Sequence, residues 1–207
     1  MHDDFAFEPV RGLPERLPRG ETMLWQGRPA TLRLARDALA LDWVLGYFGL
    51  LVLWRIGASA ADHPWPQALG HAVPFLLLGL AAALLILCVA WAQARATVYT
   101  ITTGRVTMRI GAALELTLNL PFPQIAAADL KLNRDGSGTI ALTTLGTARL
   151  GYAVLWPHVR PWHIRRPRPA LRAVSDAEQV AALLADVMEA RLAQPEIAPR
   201  LPAMAAE

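Results

Sequence analysis

The 207-residue chain contains one cysteine and one lysine. Cys88 lies inside an apolar run, so an intramolecular disulfide is excluded and the redox compartment cannot be read from thiol usage. Lys131 is not preceded by a glycine-rich phosphate loop. A nucleophile elbow and an HExxH helix are also missing, and these three absences remove the most recognisable routes to phosphoryl transfer, acyl transfer and zinc hydrolysis. Paired carboxylates are lacking as well, because Asp129 and Asp135 flank a strand and a turn, where solvated roles are expected. The "GSG" around Gly136 sits in a hairpin turn with no helix after it, so it is not a nucleotide site. An enzyme is not expected. No cleavable leader is expected either, since "MHDDFAFEPVRGLPERLPRG" begins acidic and has no apolar centre.

Apolar residues are plentiful, at 54% of the chain, and they are concentrated in two runs. Val73 to Ala92 has no charge over twenty residues. As a helix at about 1.5 Å per residue it would match a bilayer's hydrocarbon thickness, roughly 30 Å. Ala38 to Ala61 contains Asp42 and Arg55, which suit the two interfaces together with Trp43 and Trp54. The short connection containing Pro64 and Pro66 makes the pair a hairpin. Arg28, Arg33 and Arg36 precede it and Arg95, Arg105 and Arg109 follow it, whereas Arg55 alone lies toward the connection. The positive-inside rule then places both termini in the cytoplasm of a multi-pass inner-membrane protein.

The expected organisation is a cytoplasmic N-terminal segment (1–37), a transmembrane hairpin (38–92), a cytoplasmic domain (93–194) and a flexible tail (195–207). The domain opens as "TVYTITTGRVTMRIG", two strands about a Thr-Gly-Arg turn. It continues as "ALELTLNLPF", which alternates Leu114, Leu116, Leu118 and Leu120 with polar residues. "IAAADLKLN", "TIALTT" and "ARLGYAVL" follow, giving one antiparallel meander of about six or seven strands. "SDAEQVAALLADVMEARLAQP" then sets Val180, Leu183, Leu184, Val187 and Met188 on one helical face. The fold class is an α+β membrane protein: a two-helix transmembrane hairpin, an antiparallel sheet and a C-terminal amphipathic helix.

Between sheet and helix lies "WPHVRPWHIRRPRP", residues 156 to 169, with two Trp, two His, four Arg and four Pro. His158 and His163 have no Cys, Asp or Glu between Trp156 and Pro169, so a metal site would need distant ligands and none is expected. A net charge of +3 on a membrane-tethered domain argues against nucleic acid. Contact with the membrane surface suits Trp and Arg. Protein docking suits them as well, since both are frequent hot-spot residues and proline restricts the loop before it binds. The bland reading is that Trp156 and Trp162 pack beneath the sheet while the arginines face water.

Three stretches carry a family resemblance. "LPRGETMLWQGRP" resembles the opening motif of bacterial membrane proteins with a PH-like domain. "TVYTITTGRVTMRIG" is similar to their first cytoplasmic hairpin, with Thr103-Gly104 where an Asn usually stands. "LTLNLPFPQIAAADL" with "LWPHVRPWHIRRPRPALRAV" resembles the PuhB family, photosynthetic-complex assembly proteins of purple bacteria, over nearly the whole chain. The resemblance implies a PH-like sheet domain and a non-enzymatic role in assembling or stabilising the reaction centre and its light-harvesting ring in the intracytoplasmic membrane. The implied partners are reaction-centre and light-harvesting polypeptides and membrane lipids. Transient bacteriochlorophyll contact through a loop imidazole is chemically open, but no cofactor is expected. The expected partner-binding residues are Trp156, His158, Arg160, Trp162, His163, Arg165 and Arg166, with Trp25, Gly27 and Arg28 docking the N-terminal segment. Gly46, Gly49 and Gly79 permit close helix packing and leave a homodimer open. The alternative is a general PH-like membrane protein that binds lipid or scaffolds other proteins.

Overall fold

The hairpin of β2 (Val98–Thr102) and β3 (Arg105–Ile110) forms where the period-two pattern places it, with Val98 opposite Arg109 and Ile101 opposite Val106. The computed structural model describes residues 12, 13, 15–112, 114–145 and 151–192, so the expected tail at 195–207 lies outside the described residues. One neighbour of this hairpin is β4 (Leu116–Pro121), whose leucines at 116, 118 and 120 turn toward the core while Thr117 and Asn119 face out. Leu114, expected on the same face, is 89% exposed because the chain turns at Gly111 before the strand begins.

The other neighbour of the hairpin comes from the N-terminal segment. Met23–Gly27 (β1) pairs antiparallel with β2, Trp25 opposite Ile101 and Gly27 opposite Tyr99. Just before it, Glu21 grips Arg105 through two hydrogen bonds, Nε to Oε1 at 2.8 Å and Nη2 to Oε2 at 2.6 Å. Thr102 donates to the same carboxylate at 2.6 Å. The hydrogen bonds from Arg105 hold the Glu21 carboxyl below its ordinary range. The Gly-Glu of the opening motif and the Gly-Arg of the hairpin are therefore each other's partners across the sheet.

The expected single meander is instead two sheets. Phe122–Gln124, flanked by Pro121 and containing Pro123, forms a 3-10 turn that ends the first sheet, because proline cannot continue a ladder on its N–H side. The second sheet has the order β5 (Ile125–Leu132), β6 (Gly138–Thr144), β7 (Ala170–Val174). "ARLGYAVL" is not a strand over its described part, since Tyr152–Leu155 is one helical turn (α4); residues 146–150 lie outside the described residues. Helix α5 (Ala177–Leu192) buries Val180 and Leu184 against a core made by Tyr99, Ile101 and Met108 of one sheet and Ile140, Leu142 and Leu171 of the other. Burying each of these large side chains contributes about 1.5–3 kcal/mol before entropy is counted.

Between β1 and β2 the chain leaves this domain as α1 (Thr31–Asp37), α2 (Leu41–Ala60) and α3 (Trp65–Ala96). Helix α3 starts earlier than the apolar run because Pro66 occupies its first turn, where a missing N–H costs nothing. Both α2 and α3 are long and apolar enough to cross a membrane, and only 6% and 11% of their most apolar windows are buried, so their faces lack the cover a soluble core helix has. They pack together at Gly79, where an added Cβ would sit 2.8 Å from Cβ of Phe48; Gly46 and Gly49 face open space. At the domain end, Leu34 of α1, Ala94 of α3 and Ala173 of β7 form one small buried cluster. The backbone N–H of Ala30 donates to the carbonyl of Ala173 at 2.8 Å, so α1 is stitched to the second sheet.

Gly79→Leu should force α2 and α3 apart and cost about 1–3 kcal/mol as an overpacked contact, whereas Gly46→Leu should change stability by less than about 0.5 kcal/mol. Thermal unfolding in detergent micelles measures both.

Candidate functional site

The stretch 156–169 is a loop with a buried base and an exposed tip. At the base, Val159 bridges Pro169, the N–H of Arg160 donates to the carbonyl of Arg168 at 2.9 Å, and the N–H of Ala170 donates to the carbonyl of His158 at 3.0 Å. His158 itself is fully buried. Its Nε2 lies 3.0 Å from Thr97 Oγ1 and its Nδ1 lies 2.6 Å from the Tyr99 hydroxyl.

The neighbours fix the tautomer. Thr97 Oγ1 donates its one proton to the carbonyl of Gln93 at 2.7 Å, so it must accept from His158 Nε2–H. The Tyr99 oxygen already accepts the N–H of Arg172 at 3.1 Å, which leaves its own proton for His158 Nδ1. Every donor then has an acceptor with imidazole neutral, and a second ring proton on Nδ1 would take from the Tyr99 hydroxyl the acceptor it donates to. Burial, with the nearby Arg172 cation as a smaller cause, pushes the His158 pKa down to about 3. Burial likewise pushes the Tyr99 hydroxyl above its ordinary range. Thus His158, expected to bind a partner, is part of the core and is not available to one.

Trp25 and Gly27, expected to dock the N-terminal segment, are likewise engaged inside the fold. Trp25 packs against the core, and a Cβ on Gly27 would collide with its ring, so the Trp-x-Gly spacing lets an indole lie over bare backbone. Arg28 is exposed but does not line the cavity described below.

The tip keeps the remaining expected residues. Trp162 is 90% exposed with φ at 66°, a left-handed conformation that a bulky residue adopts only when its surroundings impose it. Pro161 precedes it, and His163 Nδ1–H donates back to the Pro161 carbonyl at 2.9 Å, closing a tight turn that projects the indole. Ile164 and Trp156 are also exposed, as are Arg165 and Arg166. Among the described residues Arg165 and Arg166 make no hydrogen bond or ion pair. Arg160 differs, because its guanidinium is 2.6 Å from Asp129 on β5, with Arg168 at 3.2 Å from the same oxygen. Asp129, read as an ordinary solvated residue, is the post to which both sides of the loop are tied.

Beneath the tip lies a cavity of about 450 Å3. Asp37, Lys131, Asn133, Arg160, Trp162 and Arg172 are among the residues around it. Arg172 was absent from the expected site. It is 6% exposed, and its guanidinium donates to the carbonyls of Pro157, at 3.3 Å, and Asp37. Its Nε has no partner, no carboxylate forms an ion pair with it among the described residues, and burial lowers its pKa. A charged residue inside the short apolar strand "ALRAV" was the available signal.

The sequence profile of the bacterial PH domain family matches residues 43–188, leaving β1 outside the match. An "uncharacterized 23.7 kDa protein in puhA 5'region" of Rhodobacter capsulatus is 46% identical over 196 residues, covering 94% of this chain and 92% of that protein. No solved structure matches.

The His158 geometry predicts a pH dependence. The unfolded chain takes up a proton near pH 6.5 that the folded protein refuses until about pH 3, so His158 contributes stability above pH 6.5 that is lost as pH falls toward 3. The slope is up to ~1.4 kcal/mol per pH unit. The window between pH 6.5 and about 4.5 is the cleanest, because the carboxyl of Glu21 contributes only below it. His158→Leu should be about 2–4 kcal/mol less stable at pH 8, with the Tyr99 hydroxyl proton left without its acceptor and Thr97 without its imidazole donor, and should lack this slope. Thermal melts across the window test both points.

Proposed function

The chain belongs to the bacterial PH domain family, and from that premise we propose that it is a non-enzymatic assembly or stabilisation factor of the PuhB type, anchored in the bacterial inner membrane. In this reading it holds nascent reaction-centre and light-harvesting polypeptides of a purple bacterium's photosynthetic complex. The observation that carries the docking part is the loop with a hydrogen-bonded base whose exposed Trp162, Ile164, Arg165 and Arg166 side chains make no hydrogen bond, ion pair or ring contact among the described residues. Exposed aromatic and arginine side chains on a preordered turn lose little entropy on binding. The photosynthetic part is supported by the family resemblance of "LTLNLPFPQIAAADL" and "LWPHVRPWHIRRPRPALRAV" and by the 46% identical relative described as lying in the puhA 5' region.

The membrane part is supported by the length and apolarity of α2 and α3 and by their uncovered faces. Helix α2 as a span is about 30 Å long at 20 residues. Because β1 before the hairpin pairs with β2 after it, both flanks of an inserted hairpin belong to one side, and the arginine distribution favours the cytoplasm. The mechanism is binding: the hairpin sits beside membrane subunits while the loop engages their cytoplasmic segments.

Affinity purification of the tagged protein from detergent-solubilised host membranes, with mass spectrometry and a near-infrared spectrum, tests the reading. Reaction-centre or light-harvesting polypeptides should be enriched over an unrelated tagged membrane protein. The double variant Trp162→Ala, Ile164→Ala should keep its thermal stability and lose roughly 2–4 kcal/mol of partner affinity, a drop in capture of about thirtyfold or more. An eluate free of both polypeptides in actively assembling cells would instead favour a general PH-like membrane protein that binds lipid.

A further inference from the structure

The cavity under the loop has a charge arrangement that folding leaves incomplete. Arg172 is buried with carbonyl partners only among the described residues. Lys131 at the rim makes no hydrogen bond or ion pair among them. Of the two carboxylates around the cavity, Asp129 is held by Arg160 and Arg168 together, and Asp37 Oδ2 accepts from Asn133 at 3.1 Å. Asp37, whose carboxylate acts on Arg172, is shared with Asn133, so three cationic side chains face two carboxylates around the cavity. Among the described residues the buried Nε of Arg172 has no partner and Lys131 has no counter-charge, and an anion in the cavity would answer both. A phosphate suits these donors: arginine and lysine N–H groups bind its oxygens with charge-assisted bonds, and Asn133 adds a neutral amide.

The position of the cavity selects the source of that phosphate. Asp37 lies four residues before Leu41, where α2 begins, and its carbonyl is held by Arg172. Four residues reach at most about 14 Å. In a bilayer the headgroup layer on each side is about 5–8 Å deep beyond the hydrocarbon. The small cluster of Leu34, Ala94 and Ala173 ties this part of the domain to the end of α3 as well. Trp162, which lines the cavity, and Ile164 two residues on are both exposed and have the amphipathic and apolar character of interfacial anchors.

We propose that the cavity bounded by Lys131, Arg160, Arg172 and Trp162 binds the phosphate of an anionic membrane phospholipid, with the Trp162–Ile164 turn resting in the interface beside it. The inference rests on the membrane hairpin of the proposed function but not on the identity of the protein partner. It gives the loop a second duty: lipid fixes the cavity side of the turn, so the arginines at 165 and 166 are presented at a set height above the membrane. The recognition is of one phosphodiester, since Lys131, Arg160 and Arg172 line one and the same cavity.

The test uses the full chain in nanodiscs of equimolar phosphatidylglycerol and phosphatidylcholine, followed by gentle release and native mass spectrometry of retained lipid. Phosphatidylglycerol should be retained about tenfold over phosphatidylcholine. Lys131→Glu, which breaks no internal contact, should cut that preference several-fold, as should Lys131→Gln with Arg160→Gln, while Arg134→Gln outside the cavity should leave it intact. Inorganic phosphate at millimolar concentration should not displace the lipid. Equal retention of the two lipids, an unchanged preference in Lys131→Glu, or full displacement by inorganic phosphate would each overturn the proposal. Carbonate-resistant flotation of the same variants keeps the two readings apart. Protein that floats without lipid preference has lost only the headgroup site, and protein that fails to float has lost the membrane reading beneath it.

Discussion

Five residues joined by hydrogen bonds hold the molecule in register: Arg172 N–H to Tyr99, Tyr99 to His158, His158 to Thr97, and Thr97 to the carbonyl of Gln93. They belong to β7, β2, the loop base and the last turns of α3. The chain of donors has one consistent direction, and that direction requires neutral imidazole. In a low-dielectric interior a fully satisfied polar network is rigid, and a half-satisfied one is costly, so this network fixes the loop base to the end of the long helix. The exposed tip inherits that rigidity. The base of this loop of four arginines and two tryptophans is bonded into the core, and Asp129 ties both of its sides.

The same economy runs through the two motifs in the first hundred residues. Glu21 with Arg105 closes the β1–β2–β3 corner, and Trp25 over Gly27 closes the face beside it. These contacts join the chain before the helical hairpin to the chain after it, so the hairpin is an insertion within one sheet. The hairpin joins the domain through α1, which is stitched to β7 at Ala173, and through α3, which runs straight into β2. The geometry therefore couples the hairpin, the loop base and the cavity within a few residues of one another.

Local pattern in the sequence was sufficient for β2 through β6, for α5 and for the apolar hairpin, because each carries its own periodicity or length. It was insufficient where the partner is remote. Trp25 pairs with Ile101 from across the hairpin, so β1 reads as a five-residue fragment with no visible mate. His158 is 61 residues from Thr97 and 59 from Tyr99, and nothing in "WPHVRPWHIRRPRP" distinguishes the buried histidine from the partly buried one. Pro157 and Val159 on either side, both buried, were the nearest hint. Of the expected binding residues, Trp162, Arg165 and Arg166 face outward together, whereas Trp25, Gly27 and His158 are consumed by folding. The roles of Asp129 and Arg172 could not be assigned, because a charge on a strand reveals its partner only after the sheet is built.

The central claim is that the outward tip of this loop touches membrane polypeptides of the photosynthetic complex. The most direct measurement replaces Ile164 with a photo-crosslinking amino acid and irradiates cells that are assembling the complex. The account predicts an adduct to a reaction-centre or light-harvesting polypeptide from position 164, and none from the same probe at Thr143, on the second sheet and outside the exposed tip. Crosslinks to lipid alone at position 164, or protein adducts of equal yield from Thr143, would contradict it.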